Sequence, residues 1–315
     1  MADCGKGPPH ADTSTSPTIA NTTAGARRQR AAPLWEVDRE TRRPDALQID
    51  VTGYQWWWQF EYPGFGVVTA NEVHVPVGRT VQFRLTSADV IHSFWFPRQG
   101  GKRDVIPGKT NILWFRPDSI GRFPGQCAEF CGLSHALMKM EIVVETEEEF
   151  DAWVERQRQP APVLQQVDVP GEAAQARDIA AAADTMPPEE AVEGPDSVPG
   201  VERVEGGEAA EDAAAAPQDA DLARIVEEGS RLFMSKGCLA CHRIQGTPAA
   251  GVLGPDLSHV GSRHTIAAGI LENTQENRVE WIRDPMAVKP GAKMPALELT
   301  EEELQTLATY LGSLE

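Results

Sequence analysis

One short run near the middle of the chain gathers four side chains that can bind a soft metal ion. Cys127 and Cys131 are four residues apart, His135 lies four residues further on, and Met138 follows three residues later. Thiolate and thioether sulfurs beside an imidazole select copper or zinc over hard cations. Structural zinc sites usually pair C-x-x-C knuckles, and no such knuckle accompanies this run. The spacing therefore favours copper.

The number of donors points to two copper ions. A mononuclear blue-copper site needs one thiolate, two imidazoles and a weak methionine, whereas this run offers two thiolates and one histidine. His92, in a stretch typical of a strand end (89–97), is the candidate for the second imidazole. Two bridging thiolates, one histidine on each ion, Met138 on one and the Glu129 carbonyl on the other would use every donor. We therefore predict a binuclear copper centre.

A second candidate centre lies towards the C terminus. Cys238 and Cys241 form a C-x-x-C pair that is followed at once by His242. This is the attachment signature of c-type haem, in which the thiols bind the vinyl groups and the histidine binds iron. A redox or zinc site is the alternative interpretation of the C-x-x-C pair. The pattern favours a covalently bound haem c.

A haem that carries electrons needs a sixth iron ligand. The run Gly291-Ala-Lys293-Met294-Pro295 resembles the distal methionine loop of class I cytochromes c, which implies that Met294 binds the iron. Thioether ligation raises the reduction potential. Four other side chains could serve on residue type alone: Met234, Met286, His259 and His264. We interpret the two histidines as surface or loop residues.

Two kinds of secondary structure are expected to position these centres. Apolar residues alternate with polar ones from Leu47, and glycine and proline separate the runs, which indicates an antiparallel sandwich or barrel. A cupredoxin-like Greek-key barrel fits, with the copper loop between its last two strands. The later alternating runs are 72–75, 80–85, 110–115 and 138–144. Thr146 begins a capping box for a helix that closes this all-β domain, and Thr300 begins another for the final helix.

Composition divides the chain into four segments. We predict a disordered tail at 1–45, the cupredoxin-like domain at 46–158, an acidic low-complexity linker at 159–220 and an all-α cytochrome c domain at 221–315. As a flexible coil the linker would span about 40 Å.

Charge and cysteine content restrict the partners. The chain has 29 Lys and Arg against 47 Asp and Glu, a formal net charge of -18. Nucleic acid and anionic lipid are therefore poor partners for this chain, and a basic protein is a plausible one. Four of the five cysteines belong to the two centres and Cys4 remains, so no disulfide framework is implied.

Long motifs identify a resemblance to the CuA domain of cytochrome c oxidase subunit II, extending from about Leu47 to Val144 and followed by a fused class I cytochrome c. These motifs are the copper loop, 53–62, 89–97 and 102–108. The resemblance implies a subunit of a haem-copper terminal oxidase. Electrons would pass from a cytochrome c or a quinol-cytochrome c reductase through haem c and copper to haem a of subunit I. There dioxygen is reduced to water and protons are pumped.

The resemblance also implies roles for individual residues. Trp56 matches the tryptophan that lies over the copper centre and passes electrons to it. Glu61 and Asp89 match acids of the docking patch for the donor. The Glu129 carboxylate would reach a magnesium ion at the boundary with subunit I, and Asp104 would lie beside it. These assignments follow from matched motif positions.

Members of this family normally begin with a membrane anchor in the bacterial cytoplasmic membrane, and their domains face the periplasm or cell exterior. A spanning helix needs about 20 apolar residues, and no window of this sequence approaches that; nor is there a signal peptide. We expect either a missing anchor or attachment through partners. The alternatives in function are the CuA subunit of a nitric oxide reductase and a stand-alone soluble electron carrier.

Overall fold

The computed structural model describes residues 45–165 and 217–315. Nearly all of the predicted tail, with Cys4, and most of the predicted linker lie outside the described residues. The described part contains an all-β domain followed by a helical domain, which confirms the predicted fold class. Within the described ranges, no helix is long and apolar enough to cross a bilayer.

Ten strands of the described residues build the β domain. They form two five-stranded sheets, in the orders β3-β2-β1-β5-β8 and β4-β10-β9-β6-β7. The sequence predicted antiparallel pairing, but β1 pairs with β5 and β4 pairs with β10 in parallel. A tight hairpin cannot join parallel neighbours, and here several strands separate each pair along the chain. The bounds are β1 (Leu47–Tyr54), β2 (Trp57–Tyr62), β3 (Val67–Ala70), β4 (Glu72–Pro76), β5 (Val81–Ser87), β6 (His92–Trp95), β7 (Arg103–Val105), β8 (Asn111–Phe115), β9 (Gly121–Cys127) and β10 (Lys139–Glu145).

An aromatic core between the sheets supports the copper loop. Trp58, Phe60, Phe83 and Phe94 are completely buried, and burial of each such side chain contributes about 1.5–3 kcal/mol. The ring of Phe94, from β6, meets the other three edge-on or tilted. His92 begins the same strand, and its ring packs edge-on against that of Trp58 with 5.8 Å between the ring centroids. The core therefore fixes one end of the predicted metal site.

The helix α1 (Glu147–Arg158) closes the β domain as predicted. Thr146 and Glu149 form the expected capping box, with hydrogen bonds of 2.9 and 3.2 Å. Phe150 and Trp153 are buried and pack against Tyr62. A short 3-10 helix follows at Pro162–Gln165.

The helical domain is formed by α2 (Pro217–Ser235), α3 (Gln275–Arg283), α4 (Pro285–Val288) and α5 (Glu301–Gly312), with a small hairpin of β11 (Thr265–Ile266) and β12 (Leu271–Glu272). The Thr300–Glu303 capping box is present at the start of α5. Ala161 and Leu164 are buried in the core of this domain. The sequence placed them in the linker, but their apolar side chains are covered by the helical domain, so residues 161–164 pack with that domain.

Hydrogen bonds and ion pairs join the two domains along β4. Glu72 accepts from His264 at 3.0 Å and from His74 at 3.1 Å, and His74 also donates to Glu145 at 3.0 Å. Burial opposes the charge of Glu72, yet these hydrogen bonds hold its pKa well below the usual value. Burial likewise opposes the charge of His74, but its two carboxylate partners raise its pKa. His259 was predicted as a surface or loop residue; it lies in a turn, but its side chain is buried and donates from Nε2 to the carbonyl of Gln159 at 2.9 Å.

Candidate metal and haem centres

The loop between β9 and β10 brings four predicted copper donors together. Cys127 ends β9, and its sulfur lies 3.8 Å from that of Cys131. The sulfur of Cys131 is 3.6 Å from His135 Nδ1 and 3.8 Å from Met138 Sδ. The order of these contacts follows the order of the chain, because one tight loop turns all four side chains inward.

The remaining donors approach Cys127 from the other side. His92 Nδ1 lies 4.0 Å from the Cys127 sulfur, and the Glu129 carbonyl lies 3.2 Å from it. Each cysteine therefore has one histidine beside it. Tetrahedral zinc would use four donors and leave the others idle. The set of two thiols, two imidazoles, a thioether and a carbonyl fits a pair of copper ions better than one zinc ion.

The two thiols behave as one titrating pair. The hydrogen bond between the sulfurs lowers the pKa of Cys127 and raises that of Cys131. Burial adds to the increase at Cys131, whereas it opposes the decrease at Cys127. One sulfur is thus held ready as a thiolate, the form that binds a metal.

Asp89 fixes the orientation of His92. Its Oδ1 lies 2.9 Å from His92 Nε2, and because a carboxylate only accepts, Nε2 carries the proton and Nδ1 faces the sulfur. The backbone N–H groups of Gln55 and Val90 also donate to Asp89, each at 2.8 Å. Burial opposes its charge, but these hydrogen bonds lower the pKa of Asp89. The sequence placed Asp89 in a docking patch; the structure places it behind a predicted copper ligand.

Gln55 and Trp56 hold the copper loop through a single carbonyl. Gln55 Nε2 and Trp56 Nε1 donate to the Cys131 oxygen at 2.8 and 3.1 Å. The next residue, Gly132, has a φ of 116°, and a Cβ there would lie 3.0 Å from Gln55 and 3.1 Å from Trp56. A glycine is therefore needed for this close approach. Gln55 lies in the 53–62 motif, but the sequence alone assigned it no role; its position next to Trp56 could have indicated one.

The helical domain covers Trp56. The segment after α4 lies against it, with Lys289 Nζ 2.6 Å from the Trp56 carbonyl oxygen. A Cβ on Gly291 would lie 3.0 Å from both the Trp56 ring and Leu133. Ser134 donates to the Pro290 carbonyl. Only 9% of Trp56 is exposed. This chain's own helical domain therefore occupies the surface beside Trp56, the residue that was predicted to pass electrons to the copper centre.

The other predicted residues lie outside this group. Asp104 on β7 and the Glu129 side chain are exposed, and among the described residues neither belongs to a cluster of three potential ligands. Glu61 accepts from Gln59 at 2.6 Å. Met140, two residues after the predicted ligand Met138, is buried in the core of the β domain.

The C-x-x-C-H run directly follows α2. Cys238 and Cys241 are half-buried free thiols at either end of a short 3-10 turn. His242 Nδ1 donates to the Pro255 carbonyl at 2.8 Å, which leaves Nε2 free for iron. Burial lowers the pKa of His242, so the ring is neutral and able to bind a metal. A Cβ on Gly254 would lie 2.5 Å from the ring, so glycine is required there. These donors fit covalent haem attachment.

Three methionines are candidates for the sixth iron ligand of the haem. Met294 is half-buried between α4 and α5, three residues after Gly291, where an added Cβ would lie 3.0 Å from the Trp56 ring. Met286 is 50% exposed on α4, and Met234 packs against the helical core. The role of Met294 as an iron ligand stays a prediction.

Comparison with known proteins agrees with both halves of the molecule. Residues 67–147 match the family described as cytochrome c oxidase subunit II, periplasmic domain, and residues 226–315 match the cytochrome c family. Cytochrome c oxidase subunit 2 of Alkalihalophilus pseudofirmus is 35% identical over 86% of this chain, and that of Bacillus sp. strain PS3 is 32% identical over 90%.

The chain spans 62% and 66% of the length of these two relatives. A crystal structure of the periplasmic domain of subunit II of cytochrome oxidase from Bradyrhizobium japonicum is 35% identical, and the match covers 40% of this chain and 97% of that one, with a TM-score of 0.35. The chain is thus similar to the cytochrome c oxidase subunit II family over residues 67–147 and to the cytochrome c family over residues 226–315.

Proposed function

We propose that this chain is subunit II of a haem-copper terminal oxidase. It relays single electrons from a donor, through haem c and the binuclear copper centre, to haem a of subunit I, where dioxygen is reduced to water and protons are pumped. The relatives named cytochrome c oxidase subunit 2 favour this function over nitric oxide reduction.

One observation carries the proposal. In the segment that holds Met294, a Cβ on Gly291 would lie only 3.0 Å from the Trp56 ring, so this backbone passes close to the indole. The Trp56 indole in turn donates to the carbonyl of Cys131 at 3.1 Å. The predicted haem ligand and the predicted copper ligand are thus connected through one buried tryptophan. Two unrelated binding modules on one chain would not require a shared residue such as Trp56 between their ligand-bearing segments.

The residues of the chain would bind and insulate the two groups. When bound, copper and haem c supply reversible one-electron chemistry, and the protein supplies orientation and a dry environment. His92, Cys127, Glu129, Cys131, His135 and Met138 would hold the copper ions, and Cys238, Cys241, His242 and Met294 would hold the haem. His92 and Met138 are completely buried. The predicted ligands would occupy the coordination positions of the copper ions and the haem iron, which leaves no position for dioxygen. The reduction of dioxygen would therefore occur on subunit I.

The exposed residues near the copper loop provide a surface for subunit I. Phe130 is 77% exposed, and its ring lies 5.8 Å from His135. The neighbouring Glu129 carboxylate and Asp104 are exposed acids that would bind magnesium together with ligands from subunit I. The complex would lie in the bacterial cytoplasmic membrane, with both domains on the periplasmic or outer side. The chain would be attached through an anchor or through its partners.

The test is isolation of the tagged native protein from detergent-solubilised membranes, followed by an optical spectrum and a dioxygen-uptake assay. Co-purification of haem a with dioxygen uptake is the expected result. Uptake of nitric oxide without dioxygen uptake would indicate a nitric oxide reductase. Protein found only in the soluble fraction, with haem c and copper bands alone, would indicate a free electron carrier.

A further inference from the structure

Lys289 connects the two domains beside the copper loop. Its amino group lies 2.6 Å from the carbonyl oxygen of Trp56, in the β domain, and 3.2 Å from that of Ala267, in the helical domain. These two partners are far apart in sequence, yet one side chain donates to both. Lys289 is 4% exposed, so the bridge is closed to solvent.

Burial of a lysine in such a place requires a reason. Lysine is almost never fully buried unless it is paired, and an amino group costs free energy to bury unless it is hydrogen-bonded. Within the described residues, no carboxylate forms an ion pair with Lys289, and its partners are the two carbonyl groups. An apolar side chain would fill the space without this cost, so the hydrogen bonds themselves are what the lysine provides.

The backbone on the helical side is strained at the same point. Ala267 and Ala268 have φ angles of 54° and 63°, in the left-handed region that alanine rarely adopts, and Gly269 follows at 75°. Strain of this kind persists where the surroundings impose it, and it clusters at functional contacts. Here the turn directs the Ala267 carbonyl to Lys289, while the Ala268 carbonyl accepts from the Lys139 N–H at 3.1 Å. Lys139 directly follows Met138, a predicted copper ligand.

We propose that Lys289 is a positioning residue for electron transfer between the domains. By holding Trp56 against the strained turn at 267–269, it keeps the segment that carries Met294 on the copper loop. Its hydrogen bonds go to the carbonyls of Trp56 and Ala267, so it acts on the copper loop through Trp56, whose indole donates to the Cys131 carbonyl. This role rests on the proposed function, because it presupposes a haem on one side and copper on the other.

The first test measures docking without any reference to activity. Hydrogen–deuterium exchange is followed in the complete, metal-loaded protein for the backbone N–H groups of residue 289 and residues 291–294, since positions 290 and 295 are prolines without an N–H. The Lys289→Met variant leaves two buried carbonyls without this donor, so exchange there should accelerate about tenfold or more. Lys236→Met is the matched control, since Lys236 pairs with Glu303 elsewhere on the helical domain, and it should exchange like the wild type. Lys289→Gln keeps a donor and should retain part of the protection.

The second test measures the consequence for electron transfer. After rapid reduction of the haem, the rate of copper reduction should fall about tenfold or more in Lys289→Met, in proportion to the loss of docking. The copper EPR signal and the rate of haem reduction by an external donor should stay at their wild-type values. If Lys289→Met does not fold, Lys289→Gln carries both measurements, with smaller changes in the same direction.

Two negative results have different meanings. Wild-type exchange and wild-type transfer rates in a folded Lys289 variant would refute the role of this lysine and leave the proposed function intact. Absence of haem-to-copper transfer in the wild-type protein would refute the proposed function itself, whatever the exchange data show.

Discussion

Replacement of Asp89 by alanine should weaken copper binding while leaving every predicted ligand in place. Asp89 Oδ1 holds the proton-bearing Nε2 of His92 at 2.9 Å, and this contact turns Nδ1 towards Cys127. Without the carboxylate, the ring can rotate and exchange its proton between the two nitrogens. Loss of a partner that orients a metal-binding histidine typically lowers metal affinity about 10–100-fold.

The structure also sets the size of the side effects. A 10–100-fold loss of affinity corresponds to about 1.4–2.7 kcal/mol. Alanine additionally removes the acceptor for the N–H groups of Gln55 and Val90, which reduces the free energy of unfolding by about 2 kcal/mol, since water can replace part of these bonds at a side chain that is 22% exposed. Asparagine retains one acceptor oxygen of two, so Asp89→Asn should lose less affinity than Asp89→Ala.

The assay is competition for copper with a chelator, followed by the absorption of the copper centre. Asp118→Ala is the matched control, because Asp118 is an exposed acid paired with Arg98 on the same domain, and its copper affinity should equal that of the wild type. A folded Asp89→Ala protein with wild-type copper affinity would refute the role given to this carboxylate.

Three further predictions concern the two centres and the contact between the domains. Cys131→Ser should abolish the mixed-valence copper EPR signal and leave the haem spectrum unchanged; a persisting seven-line signal would mean that the site is wrongly assigned. Met294→Ala should keep haem covalently attached but change its spin state and lower its potential, and an unaltered spectrum would favour Met286 or Met234 as the ligand. The raised pKa of His74 implies stabilisation that is complete below about pH 6.5 and is lost as pH rises through the folded-state pKa. His74→Gln should therefore remove this fall from the pH profile of the unfolding free energy above about pH 6.5, and identical profiles in the variant and the wild type would contradict the ion pairs assigned to His74.

Local spacing predicted the copper loop because its donors are neighbours in the chain. Cys127, Cys131, His135 and Met138 lie on one loop, so their types and separations were sufficient to bring them together. The alternation of apolar residues likewise predicted the strands on either side. His92 required one additional step, the inference that a strand end supplies the second imidazole.

The contacts between distant segments could not be predicted in this way. Lys289 and Trp56 are 233 residues apart, and no sequence motif contains both of them, so their contact could not be predicted from spacing. The parallel pairing of β1 with β5 depends on the route of the chain between sheets, which alternation alone does not encode. Asp89 appeared as a surface acid because its hydrogen bonds to His92 and to backbone N–H groups exist only in the folded loop.

Under the proposed function, haem c and the binuclear copper centre of one chain exchange electrons through the contact at Trp56. The most direct test is flash reduction of haem c in the isolated protein, with the copper absorption followed in time at several protein concentrations. We expect first-order reduction of copper at a rate that does not depend on protein concentration and that falls in Trp56→Leu, a variant without the indole ring. A rate proportional to protein concentration, or no electron transfer to copper at all, would contradict it.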